Sequence, residues 1–218
     1  MPEPRRPRRG RPARVDRARI VAAARTMNPE TLTMQAVAEE LGVDRKTLNY
    51  HVSDREGLLE LVALDVLSTQ VGTPPAAPPG DWRRSLRDFA TTIHDGMAGM
   101  GALFEYVRMP LTAGLQPLET GERILSTLVG AGFSPDDAAR AVTLVTQIVY
   151  TSARDAILTA GHGGVHPQVQ AMRTVLAEEP GAYMHLLTGD QLSGTRTQLA
   201  FDLDIVIAGL EKRLEQAE

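Results

Sequence analysis

Two segments with helical spacing of apolar residues are separated by only three residues, which begin with Gly42 and end with Asp44. The first segment starts after Thr33, a residue type that caps helix N-termini, and it extends to about Leu41. Gly42 follows it as glycine commonly follows a helix. Asp44 can cap a second helix that reaches about His51. Because so short a connection forces a sharp turn, the pattern predicts a helix-turn-helix.

The composition favours helices along the whole chain. Of the 218 residues, 43% are hydrophobic and 4% are aromatic, and few segments show the period-two alternation that is typical of strands. We therefore predict an all-α fold, with a helix-turn-helix domain at the N-terminus and a second helical domain at the C-terminus. Helices are expected near residues 15–27, 33–41, 44–51, 54–70, 81–99, 102–108, 117–131, 135–160, 167–178 and 195–216.

Proline and glycine indicate the borders of these domains. Residues 1–14 contain four prolines and several arginines, which predicts a disordered basic arm. The stretch GTPPAAPPG, residues 72–80, predicts a linker. We expect a helix-turn-helix domain over residues 15–71 and a second helical domain over residues 81–218.

The net charge of −4 conceals an asymmetry between the two ends of the chain. Residues 1–25 contain nine arginines and two acidic residues, a net charge of +7, whereas the remaining 193 residues carry −11. This distribution is expected of a nucleic-acid-binding protein with an acidic companion domain. A membrane-surface arm would need an apolar face, and PEPRRPRRGRP has none.

The chain has no cysteine, which excludes disulfides and thiolate sites. No apolar run approaches the roughly 18 residues of a membrane span, and no secretory hydrophobic region follows the arginines. We expect a cytoplasmic protein without a metal or other cofactor. An enzyme is not expected, because the sequence contains no G-x-S-x-G, no P-loop and no dinucleotide-binding turn, and His162 and His166 lie in a Gly- and Pro-containing loop.

The second helix of the helix-turn-helix, residues 45–51, consists mostly of long polar side chains. In this motif the second helix enters the major groove of DNA. Arg45 and Lys46 are suited to guanine and Asn49 to adenine. Three further residues could contact phosphates: Thr47, Tyr50 and His51. The alternative is a polar amphipathic helix that only faces water.

The stretch MQAVAEELGVDRKTLNYHVSDREGLLELV, residues 34–62, resembles the signature of the tetracycline-repressor (TetR) family of transcriptional regulators. The similar features are the Leu-Gly-Val turn, a recognition helix with Thr-Leu-x-x-His-Val, and a capped fourth helix that opens with a basic residue and Leu-Leu. The resemblance implies that Thr33 and Gln35 contact DNA backbone or bases, and that Arg55 binds a phosphate.

Two features depart from the family pattern. Asn49 stands where the family frequently has tyrosine, which makes this position a candidate base reader. The connection MNPETLT between the first two helices is several residues shorter than usual, so the first helix is expected to be truncated or differently packed.

The basic arm contains RRGRP, residues 8–12, which is similar to the minor-groove core of an AT-hook. In such a core, extended Arg-Gly-Arg-Pro lies in a narrow A·T groove with enhanced negative potential. Arg8, Arg9 and Arg11 are therefore candidate DNA contacts. The alternative is a nonspecific or solubilising basic tail.

Past the linker, the sequence resembles the tetracycline repressor more weakly, in DWRRSLRDFA, VRMPL, LSTLVGAGFSPDDAARAVTLV and FDLDIVIAGLEKRL. The resemblance implies a helical domain that dimerises through two long final helices and binds a small molecule. Apolar stripes on residues 135–160 and 195–216 favour buried helices independently. A homodimer is expected because a helix-turn-helix generally needs two half-sites.

A pocket between the helices of the second domain is expected to be mostly apolar with a few polar groups. The candidate ligand-binding residues are His94, Met97, Met100, Phe104, Arg108, Gln116, Gln147, Tyr150, Thr151 and Arg154. Core packing or a satisfied surface position is the alternative for each. Gln147 stands where the tetracycline repressor has a histidine that helps to hold a magnesium–drug chelate, so a different small molecule is expected.

Together these patterns predict a ligand-responsive DNA-binding transcriptional regulator, a repressor that a small-molecule effector releases from a double-stranded DNA operator. The alternative is an architectural DNA-binding protein that has no effector.

Overall fold

The computed structural model describes residues 15–71, 80–107, 116–179 and 182–216. Arg8, Arg9, Arg11, Arg108 and nearly all of the predicted linker lie outside the described residues, as does the side chain of Gln116. The described residues form helices and connecting loops without a strand, so the predicted all-α fold is confirmed. No described helix has both the length and the apolar character needed to cross a membrane.

Nine α-helices follow one another along the described chain. They are α1 (Arg17–Arg25), α2 (Met34–Leu41), α3 (Arg45–His51), α4 (Arg55–Gln70), α5 (Trp82–Ala98), α6 (Gln116–Gly130), α7 (Pro135–Gly161), α8 (Pro167–Glu178) and α9 (Arg196–Glu215). Short 3-10 helices cover Gly101–Tyr106, Met184–Thr188 and Asp190–Leu192. The segment predicted as a helix near 102–108 is therefore a 3-10 turn, and the two later 3-10 helices lie in a region where no element was predicted.

Contacts between Cα atoms divide the chain after Val62 into an N-terminal unit and a C-terminal unit. The division falls inside α4, which therefore contributes residues to both units. The N-terminal unit packs α1, α2 and α3 around a small core. Its buried side chains include Ile20, Val37, Leu48 and Leu58.

The C-terminal unit is built around α5 and α7, with α6 and α9 packed against them. Trp82 on α5 meets Phe133 edge to face, with ring centroids 5.0 Å apart. The predicted apolar stripes are mainly buried, with Val145 and Val149 on α7 and Leu203 on α9 among the most enclosed side chains.

Three ion pairs join α5 to α9, and we call them the α5–α9 ladder. Arg87 lies 2.6 Å from Asp204, and Arg196 lies 2.5 Å from Asp95. The third pair joins Arg83 to Glu211. Since residue numbers rise along α5 as they fall along α9, the two helices are antiparallel along this seam.

Candidate nucleic-acid interface and effector region

The turn between α2 and α3 is held by hydrogen bonds at both helix ends. Gly42 adopts a left-handed backbone with φ of 65°, and the amide of Val43 donates to the carbonyl of Ala38 over 3.0 Å. This is the Schellman arrangement, which favours glycine at the left-handed position. The Asp44 carboxylate then accepts from the amide of Lys46 over 2.7 Å. The predicted three-residue turn is therefore present, with α3 starting directly after it.

A single side chain of α3 is buried. Leu48 has no exposed surface, while Arg45, Lys46, Thr47, Asn49 and Tyr50 are exposed and His51 is half-buried. Tyr50 is 87% exposed, and its ring lies edge-on to the His51 ring with a centroid separation of 5.2 Å. The helix thus presents nearly its whole surface outward and is anchored by Leu48 together with Val52, which is buried just beyond its end.

A groove of about 400 Å³ joins α3 to the N-terminal ends of α2 and α4. Five of the candidate DNA-binding residues line it: Thr33, Gln35, Arg45, Asn49 and Arg55. The same groove includes Met34, Ser53 and Asp54, which sequence reasoning did not select as site residues. Lys46, Thr47, Tyr50 and His51 do not line it.

Helix N-termini contribute to this groove. The Thr33 hydroxyl accepts from the amide of Ala36 over 3.1 Å, and the Asp54 carboxylate accepts from the amide of Gly57 over 2.8 Å. Gln35 donates to Glu39 across one turn of α2, over 2.8 Å. Because each N-cap satisfies only some of the amides in a first helical turn, the remaining amides can receive an anion such as a phosphate.

Arg55 has partners within its own unit. Its Nε donates to the carbonyl of Leu32 over 2.7 Å, and one terminal nitrogen donates to the carbonyls of Pro29 and Glu30 over 2.8 and 3.2 Å. The guanidinium therefore ties the start of α4 to the short connection between α1 and α2. These hydrogen bonds were not predicted. They leave only the second terminal nitrogen of Arg55 for the expected phosphate contact.

The candidate ligand residues of the C-terminal unit fall into two groups. His94, Met97, Met100 and Phe104 are buried, and His94 lies 3.3 Å from the Asp95 carboxylate through Nδ1. The exposed group consists of Gln147, Tyr150, Thr151 and Arg154, all on α7. The two groups meet where the Phe104 and Tyr150 rings approach to 4.7 Å between centroids.

A cleft of about 420 Å³ lies between α7, α9 and the segment before α9. Gln147 and Thr151 are the candidate ligand residues that line it. The other residues around it were not predicted as ligand contacts: Leu144, Ile148, Ser152, Asp155, Gln191, Leu192, Gly194, Gln198 and Asp202. Asp155 and Asp202 lie beside the predicted apolar stripes of α7 and α9. These two carboxylates are the sequence signal that could have identified the cleft.

Gly194 allows the segment before α9 to approach α7 closely. Its φ is +61°, and a Cβ built on it would lie 2.1 Å from the carbonyl oxygen of Ser152 and 2.4 Å from the amide nitrogen of Ala156. Both the backbone angle and the contact distance therefore require glycine at this position.

Each of the two histidines before α8 has one ring nitrogen in contact with the backbone, and for His162 it is Nδ1, 2.7 Å from the carbonyl oxygen of Leu158. His166 is buried, and its Nδ1 accepts from the amide of Gln168 over 3.2 Å, which caps α8. Its Nε2 lies 3.5 Å from the Asp155 carboxylate. The described residues include no cluster of three or more histidine, aspartate and glutamate side chains that could hold a metal ion.

The comparisons with known proteins agree with this architecture. Residues 74–214 match the family model described as tetracyclin repressor-like, C-terminal domain. The class G tetracycline repressor protein of Vibrio anguillarum is 24% identical over 209 residues, which cover 91% of this chain and 95% of that protein.

Solved structures show the same fold. The structure of apo ActR from Streptomyces coelicolor has a TM-score of 0.72 at 25% identity, and the match covers 94% of this chain and 99% of that one. ActR in complex with actinorhodin has a TM-score of 0.71 at 23% identity, covering 91% and 96% of the two chains. Since the family model spans more than half of the sequence, the chain belongs to the tetracycline-repressor family of transcriptional regulators.

Proposed function

We propose that the protein is a homodimeric repressor that binds a double-stranded DNA operator and is released by a small-molecule effector. The observation that carries this proposal is α3, a helix with one buried side chain and an outward surface of arginine, lysine, asparagine and tyrosine. Such a helix can enter the major groove, where its N-terminal residues reach base edges. Arg45, Lys46 and Asn49 are proposed to read bases.

The groove beside α3 supports a proposed division of roles. Thr33 and Gln35 stand at the α2 N-terminus and are proposed to meet the DNA backbone or a base edge, while Thr47, Tyr50 and His51 are proposed phosphate contacts. Contacts with phosphates fix the register of a protein on DNA, and contacts with base edges provide sequence preference.

Exposed apolar side chains on α7 and α9 support the proposed homodimer. Phe201 is 60% exposed and Ile205 is 62% exposed, and Leu144 on α7 is also exposed. Large apolar side chains on the surface of two adjacent helices are typical of a face that another chain covers. A second copy is the proposed partner, because a dimer brings two recognition helices to two half-sites.

Effector control is proposed for the C-terminal unit, on the ground that the structurally similar ActR is known in complex with actinorhodin. A ligand shifts a conformational equilibrium only as far as it prefers one state over the other. The effector is therefore proposed to prefer a state in which the two recognition helices are not spaced for adjacent major grooves.

Replacing Arg45 by alanine tests the assignment of the reading helix. The loss of a bidentate contact to a base should weaken operator binding by about 1–3 kcal/mol and relax base preference at one position. The operator is first selected from random duplexes, and binding to single-base variants is then measured by fluorescence anisotropy. Arg123→Ala on the exposed surface of α6 is the control and should leave binding unchanged. Unchanged affinity and base preference in Arg45→Ala would show that α3 does not read the DNA through this residue.

Arg55 is expected to have two separable roles. Arg55→Lys keeps the charge but loses the forked hydrogen bonds to three carbonyls, so the free energy of unfolding should fall by about 2 kcal/mol. Arg55→Ala should show the same loss and also reduce the slope of log affinity against log salt by about 0.9, the contribution of one phosphate. Urea unfolding and binding titrations at several salt concentrations measure the two effects. A lysine variant as stable as the parent protein would contradict the structural role, and an unchanged slope in the alanine variant would contradict the phosphate contact.

A further inference from the structure

Gln35 and Glu39 lie one turn apart on α2, and their side chains form a hydrogen bond. The amide nitrogen Nε2 of Gln35 donates to the carboxylate oxygen Oε1 of Glu39 over 2.8 Å. An ionised carboxylate has no proton and can only accept, so the nitrogen of the Gln35 amide, and not its oxygen, must face Glu39. The hydrogen bond therefore selects one of the two orientations that the Gln35 amide could adopt.

Only one member of this pair lines the candidate DNA-binding groove. Gln35 lines it together with Arg45 and Asn49, whereas Glu39 is not among the residues that do so. Both Gln35 and Glu39 are exposed, so packing in the core does not hold either side chain in place. An effect of Glu39 on the choice of a DNA base would therefore pass through Gln35.

The hydrogen bond changes what the Gln35 amide can offer to a base. A free glutamine amide has two N–H donors and one oxygen acceptor. Glu39 occupies one donor, which leaves one N–H and the oxygen. In the major groove, adenine presents an acceptor at N7 and a donor at N6, whereas guanine presents acceptors at N7 and O6. The remaining groups of Gln35 match adenine, while on guanine the amide oxygen would face the O6 oxygen.

An exposed pair at this spacing also stabilises its own helix slightly, whatever it does for DNA. That contribution to α2 is the same for every DNA sequence. It can alter the overall affinity of the protein, but it cannot change the preference between two bases at one position. A measured base preference therefore separates a role in DNA reading from a role in helix stability.

We propose that Glu39 is a positioning residue that acts through Gln35 and makes the protein prefer adenine to guanine at one position of each half-site. Gln35 donates to N7 of that adenine and accepts from its N6 amino group, while Glu39 does not touch the DNA. This inference rests on the proposed function, because it requires α2 and α3 to meet an operator.

The position that Gln35 reads is identified first. An operator is selected from random duplexes, and fluorescence anisotropy then measures binding to duplexes that carry adenine or guanine at each position. Gln35→Ala should lose the preference for adenine at one position, by roughly fivefold or more, since a bidentate contact is removed. Asn49→Ala should act at a different position. A Gln35→Ala variant that keeps every base preference would overturn the proposal.

Replacing Glu39 by alanine tests the positioning role. Gln35 then regains its second donor and can turn toward guanine, so the adenine-to-guanine affinity ratio at its position should fall by at least about threefold. Glu39→Gln keeps an acceptor without the charge and should retain part of the preference. An unchanged ratio in Glu39→Ala would contradict the role of this carboxylate.

Glu40→Ala is the matched control, because Glu40 is the neighbouring carboxylate on α2 and is also exposed. Each alanine variant removes one negative charge, so both should bind all duplexes somewhat more tightly. Only Glu39→Ala should change the adenine-to-guanine ratio. A fall of the same size in Glu40→Ala would show that charge alone sets the ratio, and the proposal would be wrong.

A double variant shows whether Glu39 acts through Gln35. Once Gln35 has been replaced by alanine, Glu39→Ala should cause no further change in the adenine-to-guanine ratio, because two residues of one hydrogen-bonded pair are not additive. A further fall in the double variant would mean that Glu39 reaches the base by another route, which the proposal does not allow.

A measurement without DNA tests the hydrogen bond itself. The side-chain amide signals of Gln35 in a ¹H–¹⁵N correlation spectrum are identified by their absence from Gln35→Ala. They should shift in Glu39→Ala and stay in place in Glu40→Ala, and signals that do not move in Glu39→Ala would overturn the proposed contact. If selection yields no preferred duplex, the proposed function fails. If Arg45→Ala relaxes a base preference and Glu39→Ala does not, only the role of Glu39 is wrong.

Discussion

Replacing Leu48 by alanine should remove the main anchor of α3 and lower the free energy of unfolding of the N-terminal unit by about 2–5 kcal/mol. Leu48 is fully buried, and every other side chain of α3 is exposed or half-buried. A small helical unit has few other contacts to compensate for the cavity. Since small domains are marginally stable, a loss of this size should unfold much of the unit and abolish DNA binding. Urea unfolding followed by circular dichroism, together with binding to a selected operator, measures both effects.

The matched control is Leu48→Met, which keeps the volume and apolar character of the side chain and should cost less than about 1.5 kcal/mol. The difference in the free energy of unfolding between the two variants gives the cost of the cavity. The methionine variant alone shows how far stability depends on any change at this position. If Leu48→Ala kept the parental stability, α3 would have to be held by contacts other than its one buried side chain, and the packing described for the N-terminal unit would be wrong.

Replacing Gly194 by alanine should destabilise the C-terminal unit by about 2–5 kcal/mol. The left-handed backbone accounts for about 1–2 kcal/mol of this, and overpacking against the α7 backbone accounts for about 1–3 kcal/mol. The obstructing atoms are the carbonyl oxygen of Ser152 and the amide nitrogen of Ala156, which are backbone atoms and cannot rotate away. Differential scanning calorimetry should show a lowered melting temperature for this unit.

Gly163→Ala provides the control for backbone conformation. Gly163 has a φ of +67°, close to that of Gly194, but a Cβ at this position meets no atom within 4 Å. It should therefore cost only the backbone contribution of about 1–2 kcal/mol. If the two variants were equally stable, close approach to α7 would not matter, and the packing of the segment before α9 would need revision.

The helix-turn-helix could be predicted from the sequence because its determinants are local. Thr33, Gly42 and Asp44 each cap or end a helix through bonds to residues at most five positions away. The predicted cap of α4 is also local, because the Asp54 carboxylate accepts the first-turn amide of Gly57. Local hydrogen bonds of this kind can be inferred from residue type and spacing alone.

The remaining features depend on residues that are far apart in the chain. Arg55 bonds to carbonyls more than twenty residues away, so no local pattern indicates that it serves the α1–α2 connection. Asp155 and Asp202 come together only when α7 and α9 pack side by side. The candidate ligand residues were chosen by side-chain type, and their burial depends on which neighbouring helix covers them. This is why His94 is buried whereas Gln147 is exposed.

The α5–α9 ladder contributes little to the free energy of packing between the two helices. Its main effect is on their relative position along the helix axes. Exposed ion pairs such as these contribute little free energy individually, about 0–1 kcal/mol. A slip of α9 by one helical turn, about 5.4 Å, would nevertheless separate all three pairs at once. Arg87 would then face Ala200 or Ala208 in place of its carboxylate. The ladder therefore favours one register of α9 against α5. This register also fixes the height at which the residues of α9 lie in the cleft.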